Sequence, residues 1–390
     1  LCWTPWVALC QWGCTDTQAT NYNPNASIND GSCLYPVSNF SPILVNNLTD
    51  ALQENSGLIR VGNLLYTFND SGSGSLLHEI DTLGNVIRSI VVAGASNVDW
   101  EAITHNANHV FIGDFGNNNG NRNNLCIYRF ALNELSQDTV FAEKLPFVWS
   151  DQQSFASLPN ANNYDCEAFF AKNDSLALFS KNWGDLKTRY YTLPVFWADT
   201  AVAMLQDSLN IDGLITDACY DSTSKKAYLL GYKNNGNNFY TSFIWMLWDY
   251  PNTHVLKGNK RRIELGNVLT LSQTEGLALR SSNDGYISSE KVVSVITISP
   301  KLFRFDFSSF YLQSAGLSSF SMESDIEISC LNEGQASKIQ IKSNFQSCEL
   351  RDLQNRLIQK ITFPTSEFTT EHHGIGIIVV DGKSRLFLLP

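Results

Sequence analysis

Positive charge is scarce: 27 Lys and Arg stand against 38 Asp and Glu in 390 residues, a formal net charge of −11. That balance excludes nucleic acid as the main partner, because a phosphate backbone is held through clustered Lys and Arg. Long apolar runs are missing as well. No stretch of 18 or more apolar residues occurs, so no membrane-spanning helix is expected. There is no nucleophile elbow, no phosphate-binding loop and no His-Glu-x-x-His word. The six His do not cluster, and His372 with His373 reads as a surface pair. What the chain has is apolar and aromatic mass. At 43% hydrophobic and 12% aromatic residues it can bury a large core, which excludes disorder as the main state.

Nine cysteines are many for a reducing compartment. Cys14 and Cys33 bracket one polar loop and Cys330 and Cys348 another, so each pair is expected to close a local disulfide ring. Cys126, Cys166 and Cys219 read as small buried hydrophobes. Residues 1–10 are apolar and end in Ala8-Leu-Cys10, which reads as the tail of a signal peptide. Residues 11–34 form a module with almost nothing apolar to bury, so a disulfide or a metal must hold it. Asp16, Asn21, Asn23, Asn25 and Asp30 supply hard oxygen donors at close spacing, which suits calcium. An Asn/Asp-rich turn without an ion is the other reading. The words Gly13-Cys-Thr-Asp16, Ala19-Thr-Asn-Tyr-Asn-Pro24 and Asp30-Gly-Ser-Cys33 closely resemble a short Cys-flanked repeat of exported Bacteroidetes proteins.

One pattern recurs between residues 54 and 290. Five copies begin at Glu54-Asn-Ser56, Asp99-Trp-Glu101, Asp165-Cys-Glu167, Asp217-Ala-Cys219 and Gln273-Thr-Glu275. An apolar strand follows each and ends in a polar or aromatic residue, Asp70, Asp114, Lys181, Tyr232 and Glu290, 13 to 15 residues after the third motif position. Short strands rich in aromatic and β-branched residues, separated by Asn/Gly turns such as Asn117-Asn-Asn-Gly120, are expected to form propeller blades. The expectation for residues 35–325 is an all-β chain folded as a β-propeller, five blades favoured and six possible. Val37–Asn46 is expected to supply the outer strand that closes the ring. The words Ser56-Gly-Leu58, Asp99-Trp-Glu101, Ile112-Gly-Asp-Phe-Gly116, Ser180-Lys-Asn-Trp183 and Thr274-Glu-Gly276 resemble a propeller family of exported Bacteroidetes proteins, related in pattern to phytase-like esterase and SdiA-regulated propellers. That resemblance implies a fold more than a chemistry.

Innermost propeller strands line the central channel. The motif therefore brings Glu54, Asp99, Glu101, Asp165, Glu167 and Glu275 towards one axis, with Asp70, Asp114 and Glu290 at nearby strand ends. So many carboxylates cannot all stay ionised without a cation or ample water, and calcium is the expected ion. Glu101, Glu167 and Glu275 are the candidate catalytic groups if the site is a metal-dependent esterase or phosphoesterase. The competing expectation is that these acids merely fix blade register. Lys181 breaks the acidic ring, and with Trp183 it forms a candidate ligand-binding pair. Trp245, Trp248, Tyr250 and Lys260-Arg-Arg262 read either as a glycan-stacking surface or as blade core and turn.

Residues 326–390 show period-two strands and are expected to form a small C-terminal β-sandwich. The words Glu349-Leu-Arg-Asp-Leu-Gln-Asn-Arg-Leu357, Gly374-Ile-Gly-Ile-Ile378 and Lys383-Ser-Arg-Leu-Phe-Leu-Leu389 resemble the C-terminal sorting domain of type IX secretion substrates, although the usual Pro-Asn-Pro opening is replaced by Leu331-Asn-Glu-Gly334. Recurrent Asp-Ser/Thr-apolar triplets, among them Asp81-Thr-Leu83 and Asp174-Ser-Leu176, resemble the O-glycosylation sequon of the same lineage. The expected protein is secreted or held on the outer cell surface. Its partners are the type IX machinery and an extracellular ligand or glycan, with an enzyme at the channel as the alternative.

Overall fold

The computed structural model describes residues 11–312 apart from 73, 237–238, 252–253 and 295, and beyond them the backbone of strands between 318 and 389, with side chains there only at Glu349, Leu350 and Lys360. The expected leader, residues 1–10, lies outside the described residues, as do His372, His373 and the side chains of Cys330 and Cys348. The chain divides into two compact units, with residues 19–306 in the first and 307–390 in the second. In the second unit Ser318–Met322 pairs with Ile326–Glu333.

The first unit is a β-propeller. Among the described residues its strands group into five antiparallel four-stranded sets, named blades 1 to 5 below. Blade 1 contains Asn55–Val61, Leu64–Asn69, Leu76–Ile80 and Val86–Ala93. Blade 2 contains Trp100–His105, His109–Asp114, Cys126–Ala131 and Glu143–Trp149. Blade 3 contains Cys166–Lys172, Ser175–Ser180, Lys187–Pro194 and Ala201–Asn210. Blade 4 contains Leu214–Asp221, Lys226–Asn234, Tyr240–Trp248 and Asn259–Asn267. Blade 5 takes Gln273–Leu279, Asp284–Glu290 and Lys301–Asp306 from late in the chain and Ile43–Asn47 from its start. That last pairing, Arg304 opposite Ile43 through Lys301 opposite Asn47, closes the ring with the N-terminal strand. The five innermost strands adjoin one another cyclically.

Cohesion comes from apolar layers between neighbouring blades. The middle residue of the Asp-x-Glu word enters such a layer: Trp100 and Cys166 are both fully buried. Trp100 packs edge-on to Phe68 of blade 1 at 5.4 Å and beside Tyr128 of its own blade at 6.0 Å, and its indole N–H donates to the Ser96 carbonyl. Phe115, Phe147 and Phe169 fill the next layer. Outer edges, which would otherwise expose unpaired backbone, are partly covered. Thr139–Phe141 pairs with Val86–Ala93, Glu143–Trp149 with Ala201–Asn210, and Ser38–Asn39 with Asn259–Asn267, all in parallel.

The Cys14–Cys33 disulfide forms as expected. Within the loop it closes, four of the five expected calcium donors cap backbone N–H groups. Asp16 accepts from the Gln18 N–H, Asn23 from Asn25, Asp30 from Ser32 and Asn21 from Leu34, the bonds of an Asn/Asp-rich turn. The module rests on blade 4 through Asn29, which donates to Asp249 and Asn259, and through Gly31. Gly31 has φ +75°, and a Cβ there falls 2.0 Å from the Lys257 carbonyl oxygen, so only glycine fits. Lys260 donates to the Gly31, Leu256 and Gly258 carbonyls, and Arg262 pairs with Glu264. The basic run is thus structural. In the second unit, two four-stranded antiparallel sheets are present, the sheet content of a small sandwich.

Candidate functional site

The five innermost strands share a local irregularity. Pairing jumps from Trp100↔Asp114 to Ala102↔Gly113, from Cys166↔Ser180 to Ala168↔Phe179, and from Thr274↔Ser289 to Gly276↔Ser288. The residue skipped is Glu101, Glu167 and Glu275 in turn. A β-bulge re-aims the side chain of its extra residue, and here it turns all three glutamates into one cavity. In blade 4 the skipped residue is Thr216, and in blade 1 the slip spans Gly57 and Leu58. The sequence reading of the fourth copy was therefore out of register: Asp217 follows the bulge, and Cys219 lies further along the strand, half-buried, at a separate cavity of about 140 Å³.

The aspartates do a different job from the glutamates. Asp165 is fully buried; one carboxylate oxygen accepts from the Asn117 N–H of blade 2 at 2.6 Å and the Cys166 N–H at 3.0 Å, and the other accepts from Trp183 Nε1 at 2.8 Å. Asp217 accepts from Ala218 at 2.8 Å and from Leu277 of blade 5 at 2.6 Å. Asp114 accepts from the Asp99 N–H and pairs with Arg122 at 2.7 Å. Asp165 and Asp217 thus tie neighbouring blades together, whereas the bonds of Asp114 stay within blade 2.

The cavity into which the glutamates point has a volume of about 460 Å³, within the range of small-molecule sites. Glu101, Glu167, Glu275, Asp70 and Glu290 line it, together with Lys181, Trp183, Tyr232, Tyr240, Gln273 and the loop residues Asn118, Asn119 and Asn160. Asp70, Lys181, Tyr232 and Glu290 all come from the ends of second strands, the positions that sequence spacing picked out. Tyr240, Gln273 and the Asn loops were not foreseen as site residues, because turn-forming Asn carries no signal of facing a cavity.

Lys181 is the cavity's one cation among the described lining residues. Its ammonium contacts the Glu167 carboxylate, both side chains being at most 5% exposed, and lies 5.2 Å from the ring centroids of both Trp183 and Tyr232. Burial is the largest single influence and opposes its charge, but Glu167, Tyr232, Glu275 and Asp165 together outweigh it and hold the Lys181 pKa well above normal. Glu101 is in the opposite situation. It is 6% exposed; its backbone carbonyl accepts from Ser56 Oγ at 2.8 Å, but its carboxylate takes no hydrogen bond or ion pair from any described residue, and burial followed by repulsion from Glu167 and Asp99 pushes its carboxyl well up. Burial also lifts Asp70 and Asp99 to about 6 and Glu275 to about 7. Glu290 is raised by burial and by Glu275. Gly116 makes room for this cluster: a Cβ there falls 2.3 Å from Glu101 Oε1 and 2.5 Å from Asp99 Oδ2.

Several of the expected calcium donors already have partners. Asp114, Asp165 and Glu167 are already engaged by Arg122, Trp183 and Lys181, and no three His, Cys, Asp or Glu among the described residues are placed to hold a metal ion.

No protein-family model and no curated protein matches the chain. Three solved structures that resemble it do so at 10–12% identity. PorZ, a bacterial surface component of the type IX secretion system of Porphyromonas gingivalis, aligns with a TM-score of 0.32 over 96% of this chain and 49% of its own, so the chain spans about half of that protein. An exo-β-1,3-galactanase from Clostridium thermocellum aligns with a TM-score of 0.45 over 90% and 82% at 12% identity. A 6-phosphogluconolactonase-like protein from Bacteroides uniformis aligns with a TM-score of 0.31 over 83% and 89% at 10% identity. The chain is a β-propeller protein by its own sheets. No helix among the described residues is long and apolar enough to cross a membrane.

Proposed function

We propose that this is an exported, secreted or surface-held binding protein whose ligand site is the mouth of the propeller channel. The observation that carries the reading is Glu101. Glu101 is only 6% exposed, and a carboxylate in so buried a residue that no described group engages is a cost to the fold. The inter-blade bonding that accounts for Asp165 and Asp217 does not account for it, and it faces a cavity of ligand size. Export draws on the Cys14–Cys33 disulfide and on the sorting-domain resemblance of residues 326–390.

The test separates a ligand-facing role from a structural one. Glu101→Gln and Glu290→Gln are expected to fold with an unchanged or raised melting temperature and to lose ligands that stabilise the wild type in a thermal-shift screen of saccharides, amines and peptides. A marked loss of stability in both variants returns the glutamates to the register role and removes the reading. A hydrolase at the same mouth is the second reading. It draws on Glu101, whose carboxyl burial and the neighbouring acids push up, beside Glu167, which Lys181 engages, two carboxyls in different surroundings in one cavity. An esterase and phosphoesterase screen in which Glu101→Gln abolishes turnover supports it. Deleting residues 326–390 is expected to block export from a host with type IX secretion.

A further inference from the structure

We propose that the channel mouth selects a ligand bearing an organic cation, an ammonium or guanidinium group, over a neutral polyol or a metal ion. The inference rests on the binding reading above and names the ligand's chemistry.

Three features of the cavity lead there. The first is charge. Five carboxyls line it, Asp70, Glu101, Glu167, Glu275 and Glu290, against one ammonium, Lys181, which Glu167 already engages. Glu101, Glu290 and Asp70 thus have no cation of the protein placed on them among the described residues. A concave acidic site walled by low-dielectric protein focuses its potential on whatever enters.

The second feature is the wall. Trp183, Tyr232 and Tyr240 stand on the Lys181 side of the cavity, and the protein already sets an ammonium against two of these rings. Trp183 cannot turn away, because its indole N–H is fixed to Asp165 at 2.8 Å. Aromatic faces beside carboxylates are the surroundings that organic cations prefer, since the ring quadrupole adds to the ion pair without demanding a fixed coordination number.

The third feature is the exclusion of the competing cation. A hard metal needs several oxygens at about 2.3–2.6 Å from one point, and among the described residues no three acidic or imidazole groups converge in that way. An ammonium or guanidinium tolerates the looser arrangement, donating singly to separated carboxylates. The bulge that turns Glu101 inward, and the missing side chain at Gly116 beside it, leave Glu101 as the group the cation meets.

Isothermal titration of the full chain with matched probe pairs tests this. Glucosamine is compared with glucose, and L-arginine amide with L-citrulline amide, so that an amino sugar and a peptide-like side chain are each set against a neutral twin. In at least one pair the cationic member is expected to bind about tenfold more tightly or better, to weaken as salt rises, and to lose about tenfold in Glu101→Gln while the melting temperature is kept. Glu290→Gln serves as the second variant should Glu101→Gln fail to fold. Neutral members binding as tightly as their cationic twins overturns the inference and leaves the binding reading standing. No binding of any probe at millimolar concentration also overturns it, and the thermal-shift screen then decides the binding reading by itself.

Discussion

Lys181 and Glu167 form an ion pair in which neither side chain is more than 5% exposed, made across blade 3 by a strand end and a bulge. Pairs this deep return little net stability, because desolvation offsets the attraction, but breaking one strands a buried charge. Lys181→Met is therefore expected to destabilise the propeller by about 3–5 kcal/mol. Lys181→Met with Glu167→Leu is expected to recover most of that. Urea unfolding of the two single variants and the double variant gives the coupling directly, and a double variant as unstable as the sum of the singles removes the account.

Glu101 and Glu167 occupy equivalent bulges yet should respond in opposite ways to the same substitution. Glu167→Gln removes the counter-charge of Lys181 and should lower stability. Glu101→Gln removes an uncompensated carboxyl and should leave stability unchanged or raised above pH 7, as is common when a site residue is traded for an inert one. Paired thermal melts at pH 8 check the sign for each.

The pH profile of stability carries the mark of the same cavity. Asp70, Asp99 and Glu275 sit at about 6, 6 and 7 in the folded chain against ordinary values of 3.8, 3.8 and 4.5. Between about pH 4 and 7 the folded state thus binds more protons than the unfolded one, and stability falls as pH rises through that window. Asp30, Asp81, Asp221 and Asp284 are lowered and act the other way, only below about pH 4. The melting temperature is expected to be higher at pH 5 than at pH 8, and the difference to shrink in an Asp70→Asn, Glu275→Gln double variant. A flat profile in the wild type contradicts the electrostatic description.

The Cys14–Cys33 ring spans a sequence separation of 19 and encloses a segment whose buried apolar residues are few. Cys14→Ser is expected to cost that segment about 3 kcal/mol. Hydrogen exchange should report the loss as local opening of residues 11–34, with the innermost strands protected as before. Loss of protection throughout the propeller would mean that the module helps to hold blade 4.

Calcium and EDTA should leave the melting temperature of the full chain alike, because the acids of both expected sites are either engaged or dispersed. Metal analysis of the purified protein checks this, and a stoichiometric ion would reopen both sites.

Much of the molecule was determined by sequence alone, because local patterns carried it. Period-two apolar strands, Asn/Gly turns and the spacing of Asp-x-Glu words mark the blades, and the Cys-flanked Asn/Asp loop marks its own disulfide. The words also name Glu101, Glu167, Glu275 and Lys181, residues that do meet in one cavity. What the words cannot separate is the work of the first acid from that of the third. Asp165 and Glu167 look alike in a string, yet one caps backbone N–H groups of two blades and the other faces the channel, and the difference is a single skipped residue in the strand register. That register is a property of paired strands. It also explains the misplaced fourth copy, where Thr216 holds the bulge and an adjacent Asp217 imitates the motif. The N-terminal strand that completes blade 5, and the balance of five carboxyls to one Lys within the mouth, likewise arise only when segments more than 200 residues apart are brought together, since burial and Coulomb interaction depend on distance in space.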